Sequence, residues 1–319
     1  MKDFIRRLFG FTSYEIHHKN WRRGFNSALE ATGRYVALER SHNIGTAVNA
    51  VIFSYDRAPQ LEALLNSMLF QFDRLPTTYI LYRAGNSDHA EAYDKLKFEC
   101  QKKGDLKFIC ESDFKTELIN LLEKIQTERV FFLVDDIIFT NPVQMNHLEE
   151  INLNKNVFSL RLGKNIDYSY MCRRRQSRPE ITELNDNLIE WEWSAGNSRE
   201  SVDWCYPLSV DGHLFYAAEI LELSRTLDFK APNSFESKLQ IYTPYFKIRK
   251  GCAYTQSRCV NIPLNRVQNE EQNTHRNLHP DEILAQWQKG YKIDFRVLNG
   301  LEHNSCHVEI DLIFKRTMP

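Results

Sequence analysis

The chain has 319 residues, 42% of them hydrophobic and 12% aromatic, which indicates a folded globular protein rather than a disordered one. A formal net charge of −1 gives no basis for a general affinity for nucleic acid. Seven cysteines without a Cys-x-x-Cys pair argue against a disulfide framework or zinc knuckle and for a reducing compartment. No apolar run reaches the ~18–20 residues of a membrane span, and Arg6 and Arg7 interrupt any signal-peptide core, so we expect a cytoplasmic protein.

Residues 1–45 are predicted to form an N-terminal helical arm. Its apolar residues alternate with Lys2, Arg6 and Arg7, a spacing typical of a short amphipathic helix with a basic face. Such a helix either rests on an anionic membrane surface or packs on its own domain. The first placement predicts a peripheral contact with the inner face of the membrane.

Residues 46–140 show an alternation of strands and helices. Pro59 lies near the start of the first helix, and Asp113 is a plausible N-cap of the third. This alternation predicts an α/β fold with a mostly parallel, doubly wound sheet and helices on both faces. The predicted strands are residues 47–53, 78–82, 106–110 and 130–134.

Two adjacent carboxylates, Asp135 and Asp136, follow the fourth strand. Ligands of open α/β sheets bind outside the carboxyl ends of the strands. Like charges beside an apolar run are costly unless a cation or hydrogen bonds compensate them. A hard divalent cation, Mg²⁺ or Mn²⁺, bound through one or two carboxylates and substrate phosphates suits this place. The alternative is a strand that ends in water, with Asp136 or Asn141 organising a turn.

The pattern changes after residue 140, where no linker separates a second domain, so residues 46–319 are expected to form one domain. Residues 164–200 are polar and irregular, and a segment of this length is usually functional or mobile. Helices are predicted at residues 217–227 and 232–239, the second capped by Asn233 or Ser234. The remaining predicted strands are residues 157–162, 259–263 and 307–314.

The order of these features resembles the glycosyltransferases of the GT-A fold, especially the large family-2-like group. The segment Val51-Ile52-Phe53-Ser54-Tyr55-Asp56-Arg57 resembles that group's opening strand and turn, and Leu133-Val134-Asp135-Asp136 resembles its DxD element. Residues 209–215 resemble a strand over the donor sugar, and Glu236 lies where many inverting members carry their catalytic carboxylate. The resemblance covers roughly residues 46–270 and is closer in the first half.

This resemblance implies an inverting, metal-dependent transfer of a sugar from a nucleotide-diphosphate donor to a glycan or lipid-linked glycan acceptor. Residues 46–140 would form the nucleotide-binding half and residues 141–319 the acceptor half. Asp136 is expected to bind Mn²⁺ or Mg²⁺, whereas Asp135, on the other side of an extended chain, is expected to meet ribose or sugar hydroxyls. Glu236 is the first candidate for the general base and Asp211 the second. The residues expected to hold the nucleotide are Ser54, Tyr55, Asp56, Arg57 and Arg83.

The chain departs from the family pattern in three places. Val134 occupies the first position of the DxD element, and Phe235 precedes Glu236 where members often have Glu-Asp. Asn265 and Arg266 follow the late strand where many members supply a His ligand, a role left open to His303 or His307. Four aromatic residues have two possible roles: each either stacks on a sugar ring or packs in the core. They are Trp191, Trp193, Trp204 and Tyr206.

Three other functions are compatible with parts of this pattern. A retaining enzyme of the same fold is equally compatible, because the motifs do not distinguish retaining from inverting transfer. A sugar-phosphate nucleotidyltransferase would need a Gly-rich phosphate loop after the first strand, and residues 54–60 contain no Gly. A catalytically inactive, GT-A-shaped binding or scaffold subunit would bind a nucleoside diphosphate with Mn²⁺ without turnover.

Overall fold

The computed structural model describes residues 45–193, 202–263 and 279–316. The helices are α1 (Ala58–Gln71), α2 (Ser87–Cys100), α3 (Phe114–Lys124), α4 (Met145–Glu150), α5 (Ala217–Thr226), α6 (Pro232–Leu239), α7 (Thr243–Phe246) and α8 (Pro280–Gln288). The strands are β1 (Val48–Tyr55), β2 (Thr77–Arg83), β3 (Leu106–Cys110), β4 (Arg129–Val134), β5 (Ile137–Phe139), β6 (Asn156–Ser159), β7 (Tyr168–Ser169), β8 (Arg174–Arg175), β9 (Ile181–Glu183), β10 (Leu188–Glu192), β11 (His213–Tyr216), β12 (Lys250–Tyr254), β13 (Cys259–Asn261), β14 (Tyr291–Ile293) and β15 (Phe314–Arg316).

A nine-stranded sheet forms the centre of the protein, in the order β3-β2-β1-β4-β11-β6-β12-β10-β9. The first four strands in this order are parallel, whereas β11 pairs antiparallel with both β4 and β6. The amino end of β11 therefore lies beside the carboxyl ends of β4 and β6. This antiparallel strand brings residues before His213 to the edge of the sheet where ligands of α/β proteins bind.

Helices cover both faces of the sheet, so its central strands are buried on both sides. In β1, Ala50 and Ile52 pack in one hydrophobic cluster with α1 and α2, whereas Val51 and Phe53 pack in another with α3 and α5. In β4, Leu133 belongs to the first cluster. This alternation on two buried faces accounts for the continuous apolar runs of the sequence. The predicted α/β class, with a mostly parallel sheet and helices on both faces, is confirmed.

Three predicted elements differ from the structure. The strand predicted at residues 157–162 is β6, which covers Asn156–Ser159 and ends where the chain bends at residues 160–161. The segment 164–200 is not uniformly irregular. β10 pairs antiparallel with β12 at the edge of the main sheet, and β9 pairs antiparallel with β10, which a polar sequence does not reveal. The tail 307–314 is not a continuous strand: His307 forms an isolated bridge with Asn261, and β15, which begins at Phe314, pairs with β14.

Several predictions concern residues outside the described ranges. They include the helical arm up to residue 44, the end of the polar segment, and Asn265 and Arg266. Within the ranges that are described, no helix is long and apolar enough to cross a membrane.

Candidate active site

The turn after β1 holds its conformation through Asp56. This residue has a φ of 56°, in the left-handed region that Asp tolerates better than most residues. Its backbone N–H donates to the carbonyl of Arg83 at 3.2 Å, and its Oδ1 accepts from the N–H of Gly85 at 2.7 Å. A Cβ on Gly85 would lie 2.6 Å from Asp56 Oδ2, so a larger residue here would displace this carboxylate. The ends of β1 and β2 are thereby joined.

Arg57 connects the same turn to the acidic pair. Its Nη1 lies 2.9 Å from Oδ1 of Asp135 and 3.5 Å from Oδ2 of Asp136. Both Arg57 and Asp135 are buried, and the N–H of Tyr55 also donates to Asp135, at 3.2 Å. The chain itself thus supplies a cation and hydrogen bonds that compensate much of the charge of the pair.

The structure corrects the expectation that the two aspartates point to opposite sides of an extended chain. Asp135 and Asp136 form a turn between β4 and β5, and their carboxylates contact the same guanidinium. A turn does not keep the alternation of an extended strand, so both side chains face the end of β1. Asp136 is the more exposed of the two, with 16% of its side chain accessible against 4% for Asp135.

Ser54 and Tyr93 support this arrangement from inside the protein. The Ser54 and Tyr93 hydroxyls are 2.6 Å apart, and the N–H of Arg57 donates to the Tyr93 hydroxyl at 3.1 Å. The Ser54 side chain also lowers the pKa of Asp135. Both residues are buried. Ser54 therefore lies behind Asp135, while Tyr55 and Arg83 stand nearer the surface, with the Arg83 guanidinium 5.7 Å from the centre of the Tyr55 ring.

Asp136 carries the least compensated charge of this group. Burial raises its pKa to about 7, with further contributions from Asp135 and Asp211, although Arg57 acts in the opposite direction. Asn261, on β13, donates to Asp136 Oδ1 over 3.4 Å. Burial also raises the pKa of Asp135 above its ordinary value, against the effect of Arg57. A partly exposed carboxylate of raised pKa at this edge of the sheet is suited to binding a positively charged ligand.

A second buried ion pair lies beside the first. Arg161, two residues beyond β6, places its Nη1 at 2.9 Å from Oδ2 of Asp211 and at 2.9 Å from Oγ of Ser209. Its Nη2 lies 3.4 Å from Asp203. Burial raises the pKa of Asp211 above its ordinary value, against the lowering effect of Arg161. β11 brings this pair to the acidic turn, because Gly212, which follows Asp211, donates its N–H to a carbonyl of β4 at 2.7 Å.

Glu236 faces the second pair from α6. Its Oε1 accepts from the N–H of Val210 at 3.1 Å. Burial raises its pKa to about 7, with a further contribution from the neighbouring Asp211, while Arg161 acts in the opposite direction. The two sequence candidates for a general base, Glu236 and Asp211, therefore lie together.

The predicted cap of the Glu236 helix is wrong. α6 begins at Pro232 with Ala231 as its N-cap, so Asn233 and Ser234 are already helical. The Ser234 hydroxyl accepts from the N–H groups of Lys230 and Ala231, each at 3.0 Å. Glu236 therefore lies beyond the first turn, where the helix dipole contributes little, and its position is explained by its contacts with residues 209–210.

The late histidines differ in their surroundings. His303 uses both ring nitrogens, with Ser257 Oγ at 2.9 Å and the Ser305 carbonyl at 2.8 Å. The His307 ring stacks on the Tyr170 ring with 6.4 Å between the ring centroids. Burial and the nearby Arg161 lower the pKa of His307 to about 3. Neither histidine completes a metal cluster, because no group of three or more His, Cys, Asp or Glu suited to a metal occurs in the described part of the chain.

The donor set nevertheless fits a hard divalent cation held partly by a substrate. Mg²⁺ in such sites binds through one or two carboxylates and the substrate phosphates. Asp136 offers one carboxylate, whose protein contacts at 3.4 and 3.5 Å are long. The site is therefore compatible with a cation that enters with a diphosphate.

The tryptophans belong to the core. Trp191, Trp193 and Trp204 are each at most 2% exposed, and the Trp191 ring contacts both of the others with centroid distances of 4.9 Å. They cannot serve as platforms for sugar rings without unfolding this region. Tyr206 is partly exposed at the end of the same segment.

Three residues of the site escaped the sequence analysis: Tyr93, Arg161 and Asn261. Arg161 follows an apolar strand as Asp135 does, and a charged residue at a strand's carboxyl end is a usable signal. Tyr93 lies on a charged helix, and Asn261 inside a short strand that pairs with β5. Nothing in the local sequence of these two residues indicates their partners.

No protein-family model matches this sequence, and no curated protein does so. Similarity is found to crystal structures of S. aureus TarS. The TarS structure has 14% identity and a TM-score of 0.40 over 74% of this chain and 38% of that chain. TarS 1–349 with UDP-GlcNAc has 14% identity and a TM-score of 0.42 over 79% of this chain and 64% of that chain. The UDP complex of TarS 1–349 has 13% identity and a TM-score of 0.39 over 75% of this chain and 64% of that chain. A likeness of this size does not establish an activity, so the function rests on the site itself.

Proposed function

We propose that this chain is a nucleotide-sugar glycosyltransferase of the GT-A type, inverting and metal-dependent. The observation that carries the proposal is the meeting of two buried acidic groups at one edge of the sheet. One contains Asp135 and Asp136 with Arg57, and the other contains Asp211 and Glu236 with Arg161. One group suits the binding of a donor diphosphate, and the other suits the removal of a proton from an acceptor.

The first group would bind the donor. Asp56 and Tyr55 close the end of β1 and would contact the base and ribose, with Arg83 at the neighbouring strand end. Asp136 would hold Mn²⁺ or Mg²⁺, which when bound neutralises charge on the leaving diphosphate. Arg57 would remain beside Asp135 and keep that carboxylate ionised and oriented.

The second group would act on the acceptor. Glu236 has a pKa raised to about 7, so near neutral pH it is both partly ionised and basic enough to accept a proton. As the acceptor oxygen bonds to the anomeric carbon, its hydroxyl proton passes to the Glu236 carboxylate and the nucleoside diphosphate leaves. Asp211, held by Arg161, is less suited to this role.

The acceptor is proposed to be a glycan or lipid-linked glycan, handled by residues 141–319. A cytoplasmic location, with peripheral membrane contact through the arm 1–45, belongs to the same proposal. The apolar and basic spacing of that arm supports it.

Ligand-dependent melting tests the binding part of this proposal. UDP, GDP and UDP-GlcNAc are added with and without Mn²⁺; the uridine compounds stand first because TarS structures contain them. A ligand that binds the native state raises Tm in proportion to RT ln(1 + [L]/Kd). We expect an Mn²⁺-dependent rise that Asp136→Asn removes and the exposed control Asp186→Asn retains. No rise with any nucleoside diphosphate, with or without metal, would contradict the proposal.

A further inference from the structure

Arg161 occupies the centre of the second acidic group. It is 6% exposed, and its guanidinium contacts Asp211, Asp203 and Ser209 at once. An arginine buried this deeply requires anionic partners, and a carboxylate beside it is held in the ionised form. Asp211 is therefore the carboxylate that Arg161 keeps negative.

Residues 209–211 transmit this arrangement to Glu236. The Ser209 hydroxyl oxygen accepts from Arg161 Nη1 at 2.9 Å and from the N–H of Asp211 at 3.2 Å. Arg161 therefore holds both ends of this segment, through Ser209 and through Asp211. The N–H of Val210, between them, donates to the Glu236 carboxylate at 3.1 Å. Glu236 is thus oriented by the segment that Arg161 holds.

We propose that Arg161 is a positioning residue that makes Glu236, rather than Asp211, the proton acceptor of this carboxylate pair. The inference rests on the proposed function for its catalytic meaning. Arg161 holds Asp211 ionised by direct pairing and fixes residues 209–211, whose Val210 N–H donates to Glu236. Glu236 makes no ion pair among the described residues, so it is the member of the pair that takes up a proton.

The charges around Glu236 define what the removal of Arg161 should do. Asp211 and Arg161 face Glu236 directly, while Asp203, Cys306 and His307 face Arg161, and Asp211 faces Asp136. Without the guanidinium, two neighbouring carboxylates remain with no cation, so the first proton binds to the pair at higher pH. Asp211 also loses the ion pair that favours its ionised form, so the proton is shared between the two carboxylates.

The first test is the carboxyl titration of the wild-type protein. Side-chain ¹³C-labelled Glu and Asp are followed by NMR, with Glu236→Gln and Asp211→Asn for assignment. We expect Glu236 to titrate near neutral pH while Asp211 stays ionised through that range. An Asp211 that titrates near neutral pH while Glu236 stays ionised would overturn the inference. This measurement needs no turnover, so it separates the inference from the proposed function.

The second test uses Arg161→Met, Arg161→Lys and a matched control. Arg161→Met should move the titration of the pair, and the acid limb of the transfer rate, upward by about 1 pH unit or more. Arg161→Lys keeps the positive charge, so its titration and acid limb should stay close to those of the wild type. The control Arg249→Met breaks the buried pair of Arg249 with Glu219 in another part of the fold, and should lose stability without shifting the limb.

The outcomes are distinguishable. Unshifted titration in Arg161→Met, or an equal shift in Arg249→Met, would overturn the positioning role. If Arg161→Met does not fold, Arg161→Lys and Ser209→Ala decide. Ser209→Ala removes one contact of Arg161 and a side chain that lowers the pKa of Glu236, so that pKa should rise, and no change would overturn the role of residues 209–211. If no nucleotide sugar is ever consumed but Glu236 titrates as expected, the proposed function fails while the assignment of the proton acceptor stands.

Discussion

Arg57 Nη1 donates to Asp135 Oδ1 over 2.9 Å, so the end of the first central strand is tied to the end of the fourth. The two residues are 78 positions apart in sequence, and both are buried. The contact fixes the turn that carries Asp56 relative to the turn that carries Asp136. Donor binding and metal binding, as proposed, therefore depend on one ion pair.

Removal of this arginine should be costly for stability. Arg57→Met leaves Asp135 buried without its cation, and breaking such a pair typically costs about 3–5 kcal/mol. Urea denaturation should show this loss at pH 8 and a smaller one at pH 5, where the carboxyls bind protons. The control Arg74→Met breaks an exposed pair with Glu149 and should cost less than about 1 kcal/mol. Equal losses in the two variants would contradict the account.

The pKa of Asp136 makes its contribution to stability depend on pH. Because that pKa is raised from 3.8 to about 7, the native state binds more protons than the unfolded state between these values, and the free energy of unfolding falls as pH rises. Asp136→Asn removes this decline. The stability of the variant relative to wild type should therefore increase from pH 5 to pH 8.

Comparison of the two proteins at each pH isolates this effect. His213 and His307 have pKa values lowered to about 3 by burial, so their contributions rise with pH up to the unfolded value and oppose it. They are present in both proteins and cancel in the difference. A difference that stays constant from pH 5 to pH 8 would show that Asp136 is ionised without penalty in the native state.

Gly85→Ala should weaken nucleotide binding without unfolding the protein. The new Cβ would meet Asp56 Oδ2 at 2.6 Å, and this carboxylate can move away at the loss of its hydrogen bond to the N–H of residue 85. A displaced Asp56 would lose its proposed contact with the nucleotide, and one lost ligand hydrogen bond corresponds to about a tenfold weaker Kd for UDP. Calorimetry measures the Kd, with Gly45→Ala, where the nearest atom is 3.6 Å away, as the control. Unchanged affinity would remove Asp56 from the nucleotide site.

Gly251→Ala tests the assignment of the tryptophans to the core. A Cβ at residue 251 would lie 2.1 Å from the ring of Trp191, so the ring must shift against Trp193 and Trp204. Overpacking of this kind typically costs about 1–3 kcal/mol. Thermal denaturation should show this loss, with UDP affinity unchanged in the folded protein. A variant with wild-type Tm and weaker ligand binding would restore Trp191 as a ligand contact.

The sequence predicted the first half of the fold well, because four buried strands and their amphipathic helices carry strong periodic signals. β3 was predicted at its observed bounds, and Asp113 caps α3 through a 2.8 Å bond from Thr116. The second half was harder, since β10 joins the sheet by pairing with β12, a strand about 60 residues later. A polar sequence at the edge of a sheet carries little periodic signal.

The site shows the same division. Asp56 and Arg57 were singled out because they end a recognisable strand, and their role stays a prediction. The expected orientation of Asp135 was wrong because a turn replaced the extended chain. Arg161 and Asn261 act through partners 50 and 125 residues away in sequence, a relation that only the folded topology creates.

The release of nucleoside diphosphate from a panel of nucleotide sugars, with Mn²⁺ and with wild type and Glu236→Gln compared, tests the proposed activity most directly. We predict that wild type consumes at least one donor. Glu236→Gln should bind that donor with the same Kd and release the diphosphate about 10²–10⁴ times more slowly. Equal rates in the two proteins would move the base to Asp211 or favour a retaining mechanism. Donor binding by wild type without any turnover would contradict the central claim and leave a GT-A-shaped binding protein.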